Sequence, residues 1–298
     1  MSSQLAAIVR AARPPFLVLA PVCVMLGVGV VQAQGHPLET LPLLLALLGG
    51  LSAHVSVNAF NEYFDFHSGL DLITERTPFS GGSGSLPENP AAARGVLGLA
   101  IGSLLLSFAI GGYFLWLGRA AIVPLGLLGL ALVFFYTRWI NRQPWLCLFA
   151  PGLGFGFLMV LGTQVALSGH VTELGLLVAA VPFLLANNLL LLNQYPDIEA
   201  DRQVGRRHFA IAYGVHKANI VYALSVALAA ALLMWGVFDN QLPTWTLLGL
   251  LPLPLAGIAW HGARRHGQQI GQHPKYLAAN VMVALFTPAL MAVGLFGA

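Results

Sequence analysis

The chain has 298 residues, 57% of them hydrophobic and only 8% charged, with a formal net charge of +3. So little charge excludes a soluble globular domain, and apolar runs of about 20 residues, each long enough for a ~30 Å hydrocarbon core, recur along the sequence. The fold class expected is therefore all-α: a polytopic membrane protein folded as a single transmembrane domain over residues 1–298, because backbone amides in lipid must be bonded within helices.

Nine spans are expected in chain order: Pro14–Ala33, Leu38–Asn61, Val96–Leu117, Ala120–Ile140, Trp145–Leu167, Leu174–Gln194, Gly214–Phe238, Trp245–His261 and Tyr276–Phe296. With a cytoplasmic N-terminus, every Lys and Arg except Arg119 falls on the inside, as the positive-inside rule requires. The basic residues thus serve membrane insertion, and no nucleic-acid partner is expected. Cys23 and Cys147 fall inside apolar spans and read as buried thiols, not as a disulfide framework.

After the second span comes a long polar segment, residues 62–95, whose FSGGSGSLPENP stretch (79–90) reads as flexible and solvated with a short helix beside it. The fifth span carries Gly152, Gly154 and Gly156, which lack the Lys and strand context of a phosphate loop and read as a close helix–helix contact. A second polar loop, residues 195–213, follows the sixth span. Eight of the eleven acids lie in these two loops or at the helix ends entering them: Glu62, Asp65, Asp71, Glu75, Glu88, Asp197, Glu199 and Asp201.

The two acidic groups echo each other. Asn61-x3-Asp65 at the end of the second span is matched by Asn193-x3-Asp197-x3-Asp201 at the end of the sixth, which suggests a duplicated half. Residues four apart share a helix face, so His54, Asn58, Asn61 and Asp65 form one polar stripe, and Asn193, Asp197 and Asp201 form another. Polar stripes at membrane depth are expensive unless they pair or line a wet cavity, so both should face the bundle interior. Oxygen ligands with no Cys and no paired His select a hard cation such as Mg²⁺, which commonly binds one or two carboxylates together with substrate phosphate oxygens. The arrangement reads as two half-sites for a metal-bridged diphosphate. Interleaved Arg76, Arg202, Arg206 and Arg207, with Arg138 at the end of the fourth span, are candidates to hold its oxygens.

At these residues the sequence resembles the UbiA superfamily of intramembrane prenyltransferases. The first motif of that family is matched by N61-E62-Y-F-D65-F-H-S-G-L-D71 and the second by N193-Q-Y-P-D197-I-E-A-D201-R202-Q-V-G205-R206-R207. Gly69 two residues before Asp71, and R13-P14-P15-F16, are most similar to the menaquinone-type branch, which prenylates dihydroxynaphthoate. Three places depart from the pattern: Glu62 stands where Asp is usual, His208-Phe209 where Thr and Leu are commoner, and Y136-T137-R138-W139-I140-N141 where Gly and Pro are commoner.

The resemblance implies Mg²⁺-assisted transfer of a polyprenyl group from an allylic polyprenyl diphosphate to an aromatic acceptor, with release of diphosphate. It implies Asp65 and Asp71 at one Mg²⁺ site, Asp197 and Asp201 at the other, Asn61 and Asn193 as oxygen ligands or orienting groups, and Glu62 as a further ligand. The substrate pocket expected from it holds Arg13, His54, Asn58, Tyr63, Phe64, Tyr136, Phe155 and Tyr195. The setting expected is a bacterial inner membrane, with the site facing the cytoplasm. Two other readings stand beside it: a secondary transporter with ion-coupling carboxylates, whose site would lie nearer the midplane, and prenyl transfer to a non-quinone acceptor. A CDP-alcohol phosphotransferase lacks its Asp-Gly…Ala-Arg pattern here.

Overall fold

A computed structural model of the chain describes residues 3–297. Those residues fold as fourteen α-helices joined by short 3-10 turns, with no strand among them. In chain order they are α1 (Ser3–Ala11), α2 (Leu19–Ala33), α3 (Thr40–Ser68), α4 (Leu70–Ile73), α5 (Ser85–Glu88), α6 (Ala93–Trp116), α7 (Ile122–Phe135), α8 (Pro144–Gly152), α9 (Val160–Ser168), α10 (Glu173–Asn193), α11 (Ile198–Gln203), α12 (Phe209–Phe238), α13 (Pro254–His266) and α14 (Pro274–Phe296).

Among the described residues seven helical segments are long and apolar enough to cross a membrane, and an eighth is added if the segments Ser3–Phe16 and Leu19–Ala33, bent by 47° across Leu17-Val18, count as one span. Each of the nine apolar runs in the sequence is helical, but the expected fourth span is only the 14-residue α7. The expected eighth is interrupted at Pro252, where the 3-10 turn Thr244–Leu250 gives way to α13. Proline lacks an N–H and disfavours helix at the residue before it, which explains both this break and the end of α1 ahead of Pro14.

Helix ends differ from the sequence reading at both motifs. α3 runs on to Ser68 and stops at Gly69, whose φ of 81° is the left-handed C-terminal cap. Glu62 and Asp65 are therefore helical, and the first loop begins at Gly69, not at residue 62. α10 ends at Asn193, because Pro196 cannot continue it, and Asp197 begins the separate helix α11. Asn193, Asp197 and Asp201 thus do not form one stripe on a continuous helix. In α12 the chain turns sharply at Gly214 (φ 85°, ψ 156°), a conformation a side chain resists.

The largest core cluster joins α2, α9, α10, α12 and α14 through fully buried Leu26, Val160, Leu185, Leu233 and Leu277. A smaller one joins α1, α3, α5 and α6 through Ala11, Phe60, Leu86 and Val96. Lipid is as apolar as leucine, so close packing and buried hydrogen bonds hold such helices together. Both appear here. A side chain on Gly156 would meet the backbone N of Phe183 on α10 at 2.5 Å, so the glycines of α8 and the π-helical turn Leu153–Met159 do admit a neighbouring helix. A closed ring of bonds then clamps three helices: Tyr222 donates to Asn280 Oδ1 (3.0 Å), Asn280 to the Asn188 carbonyl (3.0 Å) and Asn188 to the Tyr222 carbonyl (2.9 Å).

Candidate active site

The polar stripe of α3 survives as expected. His54, Asn58, Asn61 and Asp65 all line one cavity of about 600 Å³, and the second motif reaches the same cavity through Asn193, Asp197 and Asp201. The mouth is polar. Its depth is apolar, walled by Val24, Ala46, Ile110, Leu130, Phe155 and Met159.

Arg206, between α11 and α12, ties the motifs together. One guanidinium nitrogen donates to Asp201 Oδ1 at 3.0 Å and the other donates to Asp65 Oδ1 on α3. His208 Nε2 lies 3.3 Å from the other oxygen of Asp201. Burial opposes the charge of Arg206, but Asp65 and Asp201 outweigh it and hold its proton more firmly than usual.

A second cation enters from the N-terminal side. Arg13 adopts the left-handed conformation (φ 52°, ψ 60°), which turns its side chain under α3. Its Nε donates to Glu62 Oε1 at 2.8 Å and its NH2 to Asn61 Oδ1 at 3.2 Å. Glu62 also accepts from the Ser83 N–H and hydroxyl, both at 2.7 Å, and from the Ser85 hydroxyl at 3.4 Å. Fully buried and with both oxygens engaged, Glu62 anchors the first loop and does not line the cavity.

The loop itself is packed, not solvated. Gly81, Gly84, Ser85 and Leu86 are buried, and the segment 80–83 lies across both motifs. The Gly81 N–H donates to Asp197 Oδ2 at 3.3 Å, and a side chain on Gly82 would sit 2.9 Å from Asp71 Oδ1. Gly81 and Gly82 have φ of 79° and 74°, so backbone conformation as well as space requires glycine there. Sequence reading missed this strap. Its signal was Gly81-Gly82 between the two acidic groups. Asn141, Gln194 and His208 also line the cavity and carried no comparable signal.

Four carboxylates and two guanidinium groups border the cavity: Asp65, Asp71, Asp197 and Asp201 against Arg13 and Arg206. These acids are largely enclosed and only partly satisfied, since Asp71 Oδ2, Asp197 Oδ1 and Asn193 Oδ1 have no hydrogen-bond partner. Burial, with the Asp65 and Glu62 carboxylates, pushes the Asp71 carboxyl up to about 8. Burial, with Asp201, pushes Asp197 up to about 7 despite the Gly81 N–H. Orphaned carboxyl and amide oxygens fit a hard divalent cation, which would displace the protons that Asp71 and Asp197 hold. Among the described residues no three acidic, His or Cys groups already converge to hold one, because Arg206 separates Asp65 from Asp201.

The remaining sequence candidates divide. Tyr136 and Phe155 line the cavity, and the His54 and Phe155 rings meet edge to face with centroids 4.7 Å apart. Tyr63, Phe64 and Tyr195 do not. Tyr63 and Phe64 face the packing side of α3, where Phe64 stacks on Phe60, and Tyr195 is fully buried, donating to Asn219 Oδ1 at 2.9 Å. Of the five arginines expected at a diphosphate only Arg206 reaches the cavity. Arg76 pairs with Glu88 (2.7 Å) and Arg202 with Glu199 (3.2 Å) on the surface, Arg138 lies over the Phe64 ring, and Arg207 is exposed. They sit on outward faces of their turns, where water screens them.

The fold and the chain have relatives. The structure aligns with the apo UbiA homologue of Aeropyrum pernix K1 at a TM-score of 0.73, 19% identity, covering 94% of this chain and 98% of that one. It aligns with a UbiA homologue of Archaeoglobus fulgidus bound to DMAPP and Mg²⁺ at a TM-score of 0.67 and 15% identity, covering 97% and 99%. By sequence the chain is 28% identical over 246 residues to the 1,4-dihydroxy-2-naphthoate octaprenyltransferase of Bacillus subtilis (strain 168), covering 81% of this chain and 77% of that protein. The model of the UbiA prenyltransferase family matches residues 19–294. Since that match runs from the first residue of α2 into the last turn of α14, this chain belongs to the UbiA prenyltransferase family and is an enzyme of that kind.

Proposed function

We propose that the protein transfers a polyprenyl group from an allylic polyprenyl diphosphate to an aromatic acceptor of the dihydroxynaphthoate type, as in menaquinone biosynthesis. The observation that carries the reading is the single cavity with two acidic half-sites at its mouth and an apolar depth behind them, suited to an anionic head and a hydrocarbon tail. The name of the B. subtilis relative supports the acceptor, and the A. fulgidus homologue bound to DMAPP and Mg²⁺ supports donor and cation.

Asp65, Asp71, Asp197 and Asp201, with the amide oxygens of Asn61 and Asn193, would hold Mg²⁺. When bound, Mg²⁺ neutralises the diphosphate and makes it a better leaving group. The chain's own groups do the rest. Arg206 and Arg13 donate hydrogen bonds to phosphate oxygens as negative charge grows on them. The allylic C–O bond breaks, its electron pair leaving with diphosphate; a ring carbon of the acceptor forms the new C–C bond to the allylic carbon and then loses the group it carried, a proton or a carboxylate as CO2, whose bonding pair restores the aromatic ring. The strap at Ser80–Ser83 shields that carbon from water, and the Tyr136 and Phe155 rings stabilise its positive charge through their faces. We further infer nine membrane crossings, with α7 as the short one, and a cytoplasmic mouth in a bacterial inner membrane, from the distribution of Lys and Arg.

The test incubates purified protein with Mg²⁺, labelled prenyl diphosphates of several lengths, and dihydroxynaphthoate, hydroxybenzoate or homogentisate. Prenylated dihydroxynaphthoate is the expected product. Turnover confined to another acceptor would overturn the acceptor assignment, and no prenylated product with any of them would overturn the reaction.

A further inference from the structure

We propose that the elbow between α13 and α14 is a binding site for the phosphate headgroup of an anionic phospholipid. The last turn of α13 carries Arg264, Arg265 and His266, and α14 opens with His273, Pro274 and Lys275. Arg264, Arg265 and Lys275 are exposed, and none of them forms an ion pair among the described residues. There is no Asp or Glu anywhere from residue 240 to the C-terminus. A cluster of cations with no internal anion, at a helix end of a membrane protein, is charge-complementary to acidic headgroups.

The cluster is held in shape. The Arg264 guanidinium lies over the Trp260 ring, 4.7 Å from its centroid, and the Lys275 ammonium is 5.0 Å from that of Tyr276. Trp260 is fixed by donating to the Asn219 carbonyl at 3.0 Å. Tyr276 packs on Gly262, where a side chain would meet its Cδ1 at 2.5 Å. The rings of His266 and His273 are 3.8 Å apart by centroid and close the arc between the cations. Trp and Tyr beside the basic residues place the arc at headgroup depth, which selects a lipid over a free solute.

The elbow also touches the start of the strap and the second motif. A side chain on Gly271 would meet Thr77 Cγ2 at 2.8 Å and Pro196 Cβ at 3.1 Å. Pro196 precedes Asp197, and the Thr77 hydroxyl accepts from the Phe79 and Ser80 N–H groups that start the strap. A headgroup bound at the elbow therefore buttresses the strap and the second motif from outside.

The test reconstitutes the full chain in nanodiscs or vesicles of phosphatidylcholine with increasing phosphatidylglycerol, and reads lipid retained after detergent extraction and the unfolding temperature. Wild type is expected to retain phosphatidylglycerol selectively, and each of Arg264→Gln, Arg265→Gln and Lys275→Gln is expected to weaken retention by about fivefold. Arg264→Lys, which keeps the charge, should bind nearly as wild type and guards against misfolding. Removing Arg94 and Arg142, exposed cations on the motif side, should leave retention intact. Equal loss in that control, wild-type retention in the triple elbow variant, or displacement of the lipid by free diphosphate would each overturn the proposal.

Discussion

Arg206 and Asp65 lie 141 residues apart in sequence, yet the guanidinium of one donates directly to the carboxylate of the other. Through its second arm Arg206 also holds Asp201. The two acidic motifs therefore meet around a cation that the chain supplies itself, and loss of that cation leaves two buried carboxylates without a counter-charge. Arg206→Gln should destabilise the metal-free protein by about 3 to 5 kcal/mol. Mg²⁺ should recover more stability in the variant than in wild type. Thermal unfolding with and without Mg²⁺ checks both, and an unchanged metal-free melting point would contradict the pairing.

Asp197 accepts the Gly81 N–H with one oxygen and leaves the other orphaned at the cavity. Asp197→Asn keeps its shape and removes its charge. Turnover should fall by about two to three orders of magnitude while unfolding in detergent stays close to wild type. Asp65→Ala should also abolish turnover, with a further loss of stability because it strands Arg206.

Cation binding should strengthen as pH rises. Asp71, near 8, and Asp197, near 7, retain protons at neutral pH in the metal-free chain, whereas a ligating carboxylate must be ionised. Mg²⁺ affinity measured by titration calorimetry should climb between pH 6 and about 8.5, with proton release on binding. The same shifts set the sign for stability. Both groups ionise near 3.8 when unmodified by the fold, so between there and about 8 the folded metal-free state binds more protons than the unfolded chain and loses stability as pH rises. A flat affinity profile, or stability rising over that range, would contradict these assignments.

The glycines of the fifth apolar run separate into two kinds. Gly156→Leu drives a side chain into the Phe183 backbone and should cost about 1 to 3 kcal/mol. Gly154, two residues away, has no atom within 4 Å of an added Cβ, so Gly154→Ala should be neutral to within about 0.5 kcal/mol. Unfolding of the two variants side by side reads the contrast, and equal losses would show that the close contact is not where the stability lies.

Much of the candidate site is legible before any folding is considered. His54, Asn58, Asn61 and Asp65 share a helix face by spacing alone, and a helix preserves that relation wherever it packs. The apolar runs, the glycine contact at α8 and the two acidic groups follow from equally local rules. Arginines resisted the same reading. Five had suitable positions in the sequence, and which side of a turn each occupies depends on packing against other elements. Only Arg206 faces inward, while Arg13, reached through the break before Pro14, supplies the second cation. Tyr63 and Phe64 fail for a related reason: neighbours of Asn61 and Asp65 in sequence point to other faces of α3.

Sequence alone thus determined the membrane setting, the helical class and the identity of the acidic groups, because hydropathy and helical periodicity are properties of short segments. Tertiary structure decided that Glu62 anchors the first loop, that the glycine strap lies packed over both motifs, and that Arg206 spans them. Those relations join residues from 21 to more than 140 positions apart, and only the packing of separate helices sets the distances on which hydrogen bonds and charge pairs depend.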